Sequence, residues 1–310
     1  MRDRLSMLLI IGMSLPFLDK PVHVDDANFL AMARQAAVDP WRPHAFNINW
    51  QGTTESAFHV LSNPPGIAWW LAPVSHSSVF WMHLWMLPWL LLAGWGAAQL
   101  GHVIAQRSAT AILLLCGAPI SILAAHSLTP DLPLLALTLA GMGGLMRPGR
   151  TRRWLFAIIL GSTVLFRYSG LALIPLVVLT EKNRWSGLRL AIIALIPMAL
   201  LGLHDLLAYE QIHLFAMMEF QSVSNTLPDI GHKAVASIAA LGGAAVLPLL
   251  CWQKPKRTLA ALAIGAGIGC TAAAWTGQTQ LAALSTVVFS AAGVATLVGA
   301  IHHTQATHVS

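Results

Sequence analysis

Charge is what this 310-residue chain has least of: Asp, Glu, Lys and Arg make up only 10% of it, while 56% is hydrophobic. An ordinary soluble globule carries about 25% charged residues and about 45–50% apolar ones, so that class is excluded. The deficit is concentrated in long runs such as Trp85 to Ala98, Ala109 to Ala125, Leu188 to Leu203 and Leu281 to Ile301. Runs of this kind predict membrane spans, which need roughly 20 apolar residues to cross a ~30 Å hydrocarbon core. Cysteine is scarce as well. Its three copies, Cys116, Cys251 and Cys270, sit inside apolar runs, which leaves neither a disulfide framework nor a paired-cysteine metal motif. A cleavage site is also missing: Met1-Arg-Asp-Arg4 ahead of an apolar stretch has the layout of a secretory signal, but Leu15-Pro-Phe-Leu-Asp19 offers no small-x-small exit. The stretch is therefore read as an uncleaved first span.

What is present predicts an all-α polytopic membrane protein with spans near 5–18, 79–105, 109–125, 131–146, 154–180, 188–208, 234–252, 258–276 and 281–301. One long polar gap remains, 19–78. With the N-terminus in the cytoplasm, thirteen of the 18 basic residues fall on the inner side, as the positive-inside rule requires. The net charge of +6 is then a matter of orientation, and no nucleic-acid partner is implied. The threading closes only if 154–180, basic at both flanks, enters and leaves on one side. That predicts a broken hairpin with Arg167-Tyr-Ser-Gly170 at its tip, tolerated at membrane depth where it lines a cavity. Gly242-Gly243, Gly265 to Gly269 and Gly293 predict close helix approach in the last three spans.

Nine of the 12 acids fall on the outer side, so the polar chemistry is expected there. In the 19–78 segment, Phe29/Leu30, Ala33 and Ala36/Ala37 share one helical face behind Asp25 and Asp26, which suits a helix lying along the membrane interface. The aspartates could equally be helix caps. Asp39-Pro to Gly52, with Arg42 and Trp50, and Ser62-Asn63-Pro-Pro-Gly66 to Trp70 are either site elements or headgroup anchors. Thr129 as N-cap, Pro130 at the first helical position and Asp131 in the first turn make a complete helix start. Arg167, a guanidinium in an apolar run, is a candidate site residue or a snorkelling anchor.

In this order the pieces resemble the polyprenyl-phosphate-sugar-dependent glycosyltransferases of the GT-C fold, the group with protein O-mannosyltransferases and lipid A aminoarabinose transferases. Asp25-Asp26-Ala-Asn-Phe29 is similar to the family's acidic element after the first span, Asp39-Pro to Gly52 to its Asp-Pro and Asn-Trp stretch, and Asn63-Pro-Pro-Gly66 to its Pro-Pro element. Asp131 stands where the family has an acid opening a later span, and Arg167-Tyr168-Ser-Gly resembles its Lys-Tyr element. The family more often has Glu at position 26 and Lys at 167, and many members are longer.

The resemblance implies a GT-C-like catalytic module over 1–209, its external first loop carrying interfacial helices, followed by C-terminal helices over 210–310. It implies Asp25, Asp26 and Asp131 as catalytic carboxylates, with Arg167, Tyr168, Asn63, Trp50 and Arg42 binding substrate. The donor would be a polyprenyl-phosphate-linked sugar, membrane lipid a further partner, and the location a bacterial inner membrane. Transfer of this kind asks for a carboxylate near the acceptor and cationic or amide groups for the departing phosphate. A divalent metal is possible: His23, His44, His59 and His76 share the loop with acids, though without a metalloprotease-type spacing. A non-catalytic carrier-binding subunit and a transporter are the competing expectations; a transporter usually shows paired halves, and the Asp25 to Gly66 pattern has no second copy.

Overall fold

The computed structural model describes residues 2–22, 25–50, 52–105, 107–147, 152–224, 234–239, 255–276, 283–284 and 286–295. They are mostly helical and divide into two compact units, Met1–Gly117 with Ser121–Ser224, and Ala118–Ile120 with Asn225–Ser310. Two helical runs, Val79–Val103 and Arg184–Tyr209, are long and apolar enough to cross a membrane.

In the first unit α1 (Arg2–Ser14) passes into a 3-10 turn at Leu15–Phe17, where Pro16 lacks the N–H that an α-helix would use. α2 (Asp26–Val38) buries Phe29, Leu30, Ala33 and Ala36 of the face expected from the sequence, with Met32 added and Ala37 left exposed. That face is covered by protein rather than by a membrane interface. It packs on α4 (Gly66–Leu71) and the turn Ala72–Val74, because this loop is long enough to fold back over itself. Between them lie a short α3 (Ala57–Val60) and an antiparallel hairpin, β1 (Asn47–Trp50) and β2 (Thr53–Ser56), in which Trp50 pairs with Thr53. Gly52, at φ 91° in the turn, takes a backbone conformation that glycine adopts without strain.

α5 (Val79–Ala105) and α8 (Asp131–Met146) fit the expected spans and lie side by side in the same direction, Gly96 against Leu139 and Ala140 and Gly143 against Gln99. The expected span 109–125 is instead two helices, α6 (Ser108–Cys116) and α7 (Pro119–Ala125), since Gly117 closes the first and Pro119 has no N–H with which to continue it. α8 starts one step from where its sequence signal put it: Pro130, not Thr129, holds the cap position, and the Thr129 hydroxyl is 3.2 Å from that of Ser127.

The broken hairpin is present. α9 (Arg153–Gly161) runs into a 3-10 segment (Ser162–Leu165), Arg167 is extended at φ −148° and ψ 133°, and a second 3-10 segment (Tyr168–Leu173) leads to α10 (Ile174–Leu179). Both ends meet at Arg153, whose Nη2 donates to the carbonyls of Leu145 (2.6 Å) and Thr180 (3.0 Å) while its Nε lies 3.1 Å from Glu181 Oε1. At this end of the unit Ser108 also donates to Asp3 (2.7 Å) and Arg147 to Gln99. α11 (Arg184–Ala194) and α12 (Ile196–Tyr209), parted at Leu195 ahead of Pro197, form the second long run, and α13 (His213–Ser224) closes the unit.

In the second unit, α14 (Pro255–Thr276) sets Gly265 and Gly269 against the backbone at Ser290 and Val287, the close approach its glycine spacing predicts. Of the expected span 234–252 residues 240–252 lie outside the described residues, and of 281–301 residues 281–282, 285 and 296–301 do.

Candidate functional site

Asp131 and Arg167, 36 positions apart, are brought together at the end of the unit opposite Arg153. Arg167 Nη1 is 3.2 Å from Asp131 Oδ1, with both side chains half exposed, while the Arg167 Nε is buried and has no hydrogen-bond partner among the described residues. The hairpin delivers Arg167 there because its two arms can touch. A Cβ on Gly170 would lie 2.4 Å from the Thr163 hydroxyl, so the return arm passes Thr163 at a distance only glycine permits. The Asn63-Pro-Pro-Gly66 element sits on the same hairpin, where a Cβ on Gly66 would lie 2.3 Å from the Leu165 carbonyl oxygen.

The two adjacent aspartates at the head of α2 have different environments. Asp25 holds the cap position and makes no side-chain capping bond, and it is exposed. Asp26 is fully buried and accepts the Leu128 N–H at 2.8 Å, three residues ahead of Asp131. The carboxylate of Asp26 therefore ties the α2 start to the loop that presents Asp131. Beside it, His126 faces the carbonyls of Ile122 and Ser14 at 2.6 and 2.7 Å, and Lys20 reaches the carbonyl of His126 at 3.2 Å.

The other expected binding residues are distributed differently. Arg42 pairs with Asp39 at 2.8 Å on the surface and holds that carboxyl below its usual range. Asn63 offers its backbone carbonyl to His44 Nε2 at 3.1 Å. The Trp50 side chain lies outside the described residues. Tyr168 follows Arg167 in the chain, but its hydroxyl is 2.7 Å from His213 Nδ1. The Tyr168 hydroxyl is thus engaged by the protein itself.

His213 belongs to a cluster that the sequence does not bring together. Its ring stacks on His44 with centroids 4.6 Å apart, its Nε2–H donates to the Leu61 carbonyl at 3.0 Å, and its backbone N–H donates to Asp205 Oδ2 at 3.2 Å. Since the Leu61 carbonyl can only accept, Nε2 carries the proton and Nδ1 takes the Tyr168 O–H. Asp205 Oδ1 is 3.1 Å from His204 Nδ1, and His204 Nε2 is 2.8 Å from the Trp41 carbonyl. The Tyr209 hydroxyl, in turn, accepts the His44 N–H at 2.9 Å. The chain's two tyrosines are both here, and that scarcity was the available signal.

Burial pushes His44 down to about 3 and His213 down to about 4; the positive charge of either imidazole would repel the other, while Asp205 pulls His213 the opposite way. Both rings are thus neutral when folded and titrate near 6.5 when unfolded. Their contribution to stability is complete above pH 6.5 and is lost as pH falls toward 4 and then 3, because the unfolded chain takes up the protons first. The thermal midpoint is expected to stay level from pH 8 to 7 and fall steadily from 6.5 to 4. His44→Phe should flatten that fall, and an equally steep fall in the variant would remove the pair from the acid response.

Among the described residues no three His, Cys, Asp or Glu side chains are grouped to hold a metal ion, and His23 lies outside them. His44 Nε2 is engaged by the Asn63 carbonyl, and both ring nitrogens of His213 are engaged, by Tyr168 and the Leu61 carbonyl. No family model and no curated protein matches this chain. The residues themselves carry the functional reading.

Proposed function

We propose that the chain is a polytopic membrane glycosyltransferase of the GT-C type, moving a sugar from a polyprenyl-phosphate carrier to an acceptor on the outer face of a bacterial inner membrane. The observation that carries this reading is the Asp131–Arg167 pair, placed by a broken hairpin at the end of an apolar bundle opposite its basic end. The membrane reading is supported by the surface of α11 and α12. Leu188, Ile192, Ile196, Leu200, Leu203 and Leu207 are all exposed at helical spacing, a stripe that water would penalise and lipid would not.

In this reading the acceptor oxygen attacks the anomeric carbon, the bond from that carbon to the phosphate oxygen breaks, and the acceptor proton passes to a carboxylate. Asp25, exposed at the head of α2, is the acceptor-side base. Arg167 receives the departing polyprenyl phosphate; its guanidinium can engage phosphate oxygens through parallel hydrogen bonds, and its Nε–H has no partner among the described residues. Asp131 holds the guanidinium in place before the donor arrives, and Asp26 holds the loop that carries Asp131.

The test is to purify the protein, identify its bound lipids by mass spectrometry, and reconstitute it with radiolabelled polyprenyl-phosphate sugars and crude membrane acceptors. Co-purification of a polyprenyl-phosphate sugar together with transfer of label is the expected result. Co-purification without transfer would reduce the protein to a carrier-binding subunit, and absence of both would overturn the reading.

A further inference from the structure

We propose that Tyr168 and His213 form a positioning pair that sets Arg167 for the donor phosphate, so that α13 is a working part of the site. The inference rests on the reading of Arg167 as the phosphate cation. Arg167 is the single extended residue between two 3-10 segments, and its backbone N–H is bound to the Thr163 carbonyl at 3.0 Å. That bond fixes it from the entering arm only. From the return arm its carbonyl accepts the Gly170 N–H at 2.9 Å, and the neighbouring Tyr168 hydroxyl anchors that arm by donating to His213 Nδ1 at 2.7 Å.

His213 is well placed to act as a fixed post. It is 1% exposed, its Nε2–H is held by the Leu61 carbonyl, and its N–H is held by Asp205, which is 3% exposed. The Leu61 carbonyl lies just ahead of Asn63-Pro-Pro-Gly66, the element seated on Leu165 of the entering arm. One imidazole therefore joins the return arm to the segment on which the entering arm rests. Both its ring nitrogens are occupied and it is shielded from solvent, so His213 does not reach an acceptor; it acts through Tyr168 and Arg167. The Asp131 ion pair, half exposed on both sides, holds the guanidinium at its tip, and the backbone that carries the side chain is set separately.

The experiment measures binding of undecaprenyl phosphate to the full chain in nanodiscs for the parent, Arg167→Met, Tyr168→Phe, His213→Phe and His213→Asn, and for Tyr168→Phe combined with Arg167→Met and with His213→Phe. Tyr168→Phe and His213→Phe are each expected to weaken binding about tenfold, the scale of one lost buried hydrogen bond. Their double variant should be no weaker than either single, and Tyr168→Phe should add nothing in the Arg167→Met background. His213→Asn, which can still accept the tyrosine proton, should recover most of the affinity. With transfer measured alongside, donor KM should rise while the pH profile keeps its shape, whereas a general base would reshape it. If Arg167→Met weakens binding and Tyr168→Phe binds like the parent, the positioning pair is refuted and the phosphate site stands. Additive losses from the two single variants also refute it. If Arg167→Met binds like the parent, the phosphate site itself is refuted. Tyr168→Phe is nearly isosteric, so the test survives even if His213→Phe does not accumulate.

Discussion

Asp25→Asn and Asp131→Asn are each expected to slow sugar transfer about a hundredfold at unchanged expression, equivalent to about 2.7 kcal/mol in the barrier. Their structural roles are too small to produce such a loss. Asp25 makes no capping bond, so its amide variant forgoes only a dipole interaction, typically about 0.3–1 kcal/mol. Asp131 gives up an ion pair whose members are 44% and 41% exposed, and pairs of that kind contribute roughly 0–1 kcal/mol. The thermal midpoint should therefore hardly move while turnover collapses. Transfer within threefold of the parent in both variants would leave two aspartates that merely begin helices, and the site would have to be sought elsewhere.

Gly170→Ala is expected to lower the thermal midpoint by several degrees, and Gly170→Val to prevent accumulation of folded protein. The added Cβ would meet the Thr163 hydroxyl at 2.4 Å, its Cβ at 2.8 Å and its carbonyl carbon at 2.9 Å, so the arms of the hairpin would have to part. Overpacking of this kind typically costs about 1–3 kcal/mol, and about 1 kcal/mol moves the midpoint by roughly 2–4 °C at this size of unit. Gly202, in the interior of α12, supplies the control. A Cβ there meets nothing within 4 Å, and alanine is the better helix former, so Gly202→Ala should be neutral or slightly stabilising. Equal behaviour of the two alanine variants would mean that the hairpin is not closed at Thr163.

The break at Arg167 was legible because two independent constraints met on it: basic residues at both flanks required a return to the starting side, and 27 residues were too few for two full spans. The start of α8 was nearly as clear, with Thr129, Pro130 and Asp131 each contributing a known preference; the error of one position arose because Thr129 turned its hydroxyl to Ser127. The face of α2 was legible in its period but not in what covers it, since an apolar stripe looks the same whether protein or a membrane interface packs on it. His44, His204, Asp205 and His213 were not legible. They come from the first loop, from an apolar helix and from the segment after it, and nothing in their spacing relates them. Each alone is an ordinary polar residue near a boundary. Only the fold shows that one ring stacks on another and that Asp205 serves two neighbours.

The short reach of the hairpin has a consequence for depth. α8 has 16 residues, about 24 Å of helix. The entering arm has nine α-helical residues and four in a 3-10 turn, about 22 Å in all. A bilayer's hydrocarbon core is about 30 Å thick. In the proposed orientation, with Arg153 and Glu181 at the inner boundary, Asp131 and Arg167 would stop some 6–8 Å short of the outer boundary. The ion pair then lies at the floor of a recess. On the proposed function water would have to enter from above to solvate it, the carrier's phosphate would have to descend below the headgroup plane to reach it, and the acceptor would have either to bring its hydroxyl on a narrow stem or to find the lipid locally thinned around the protein.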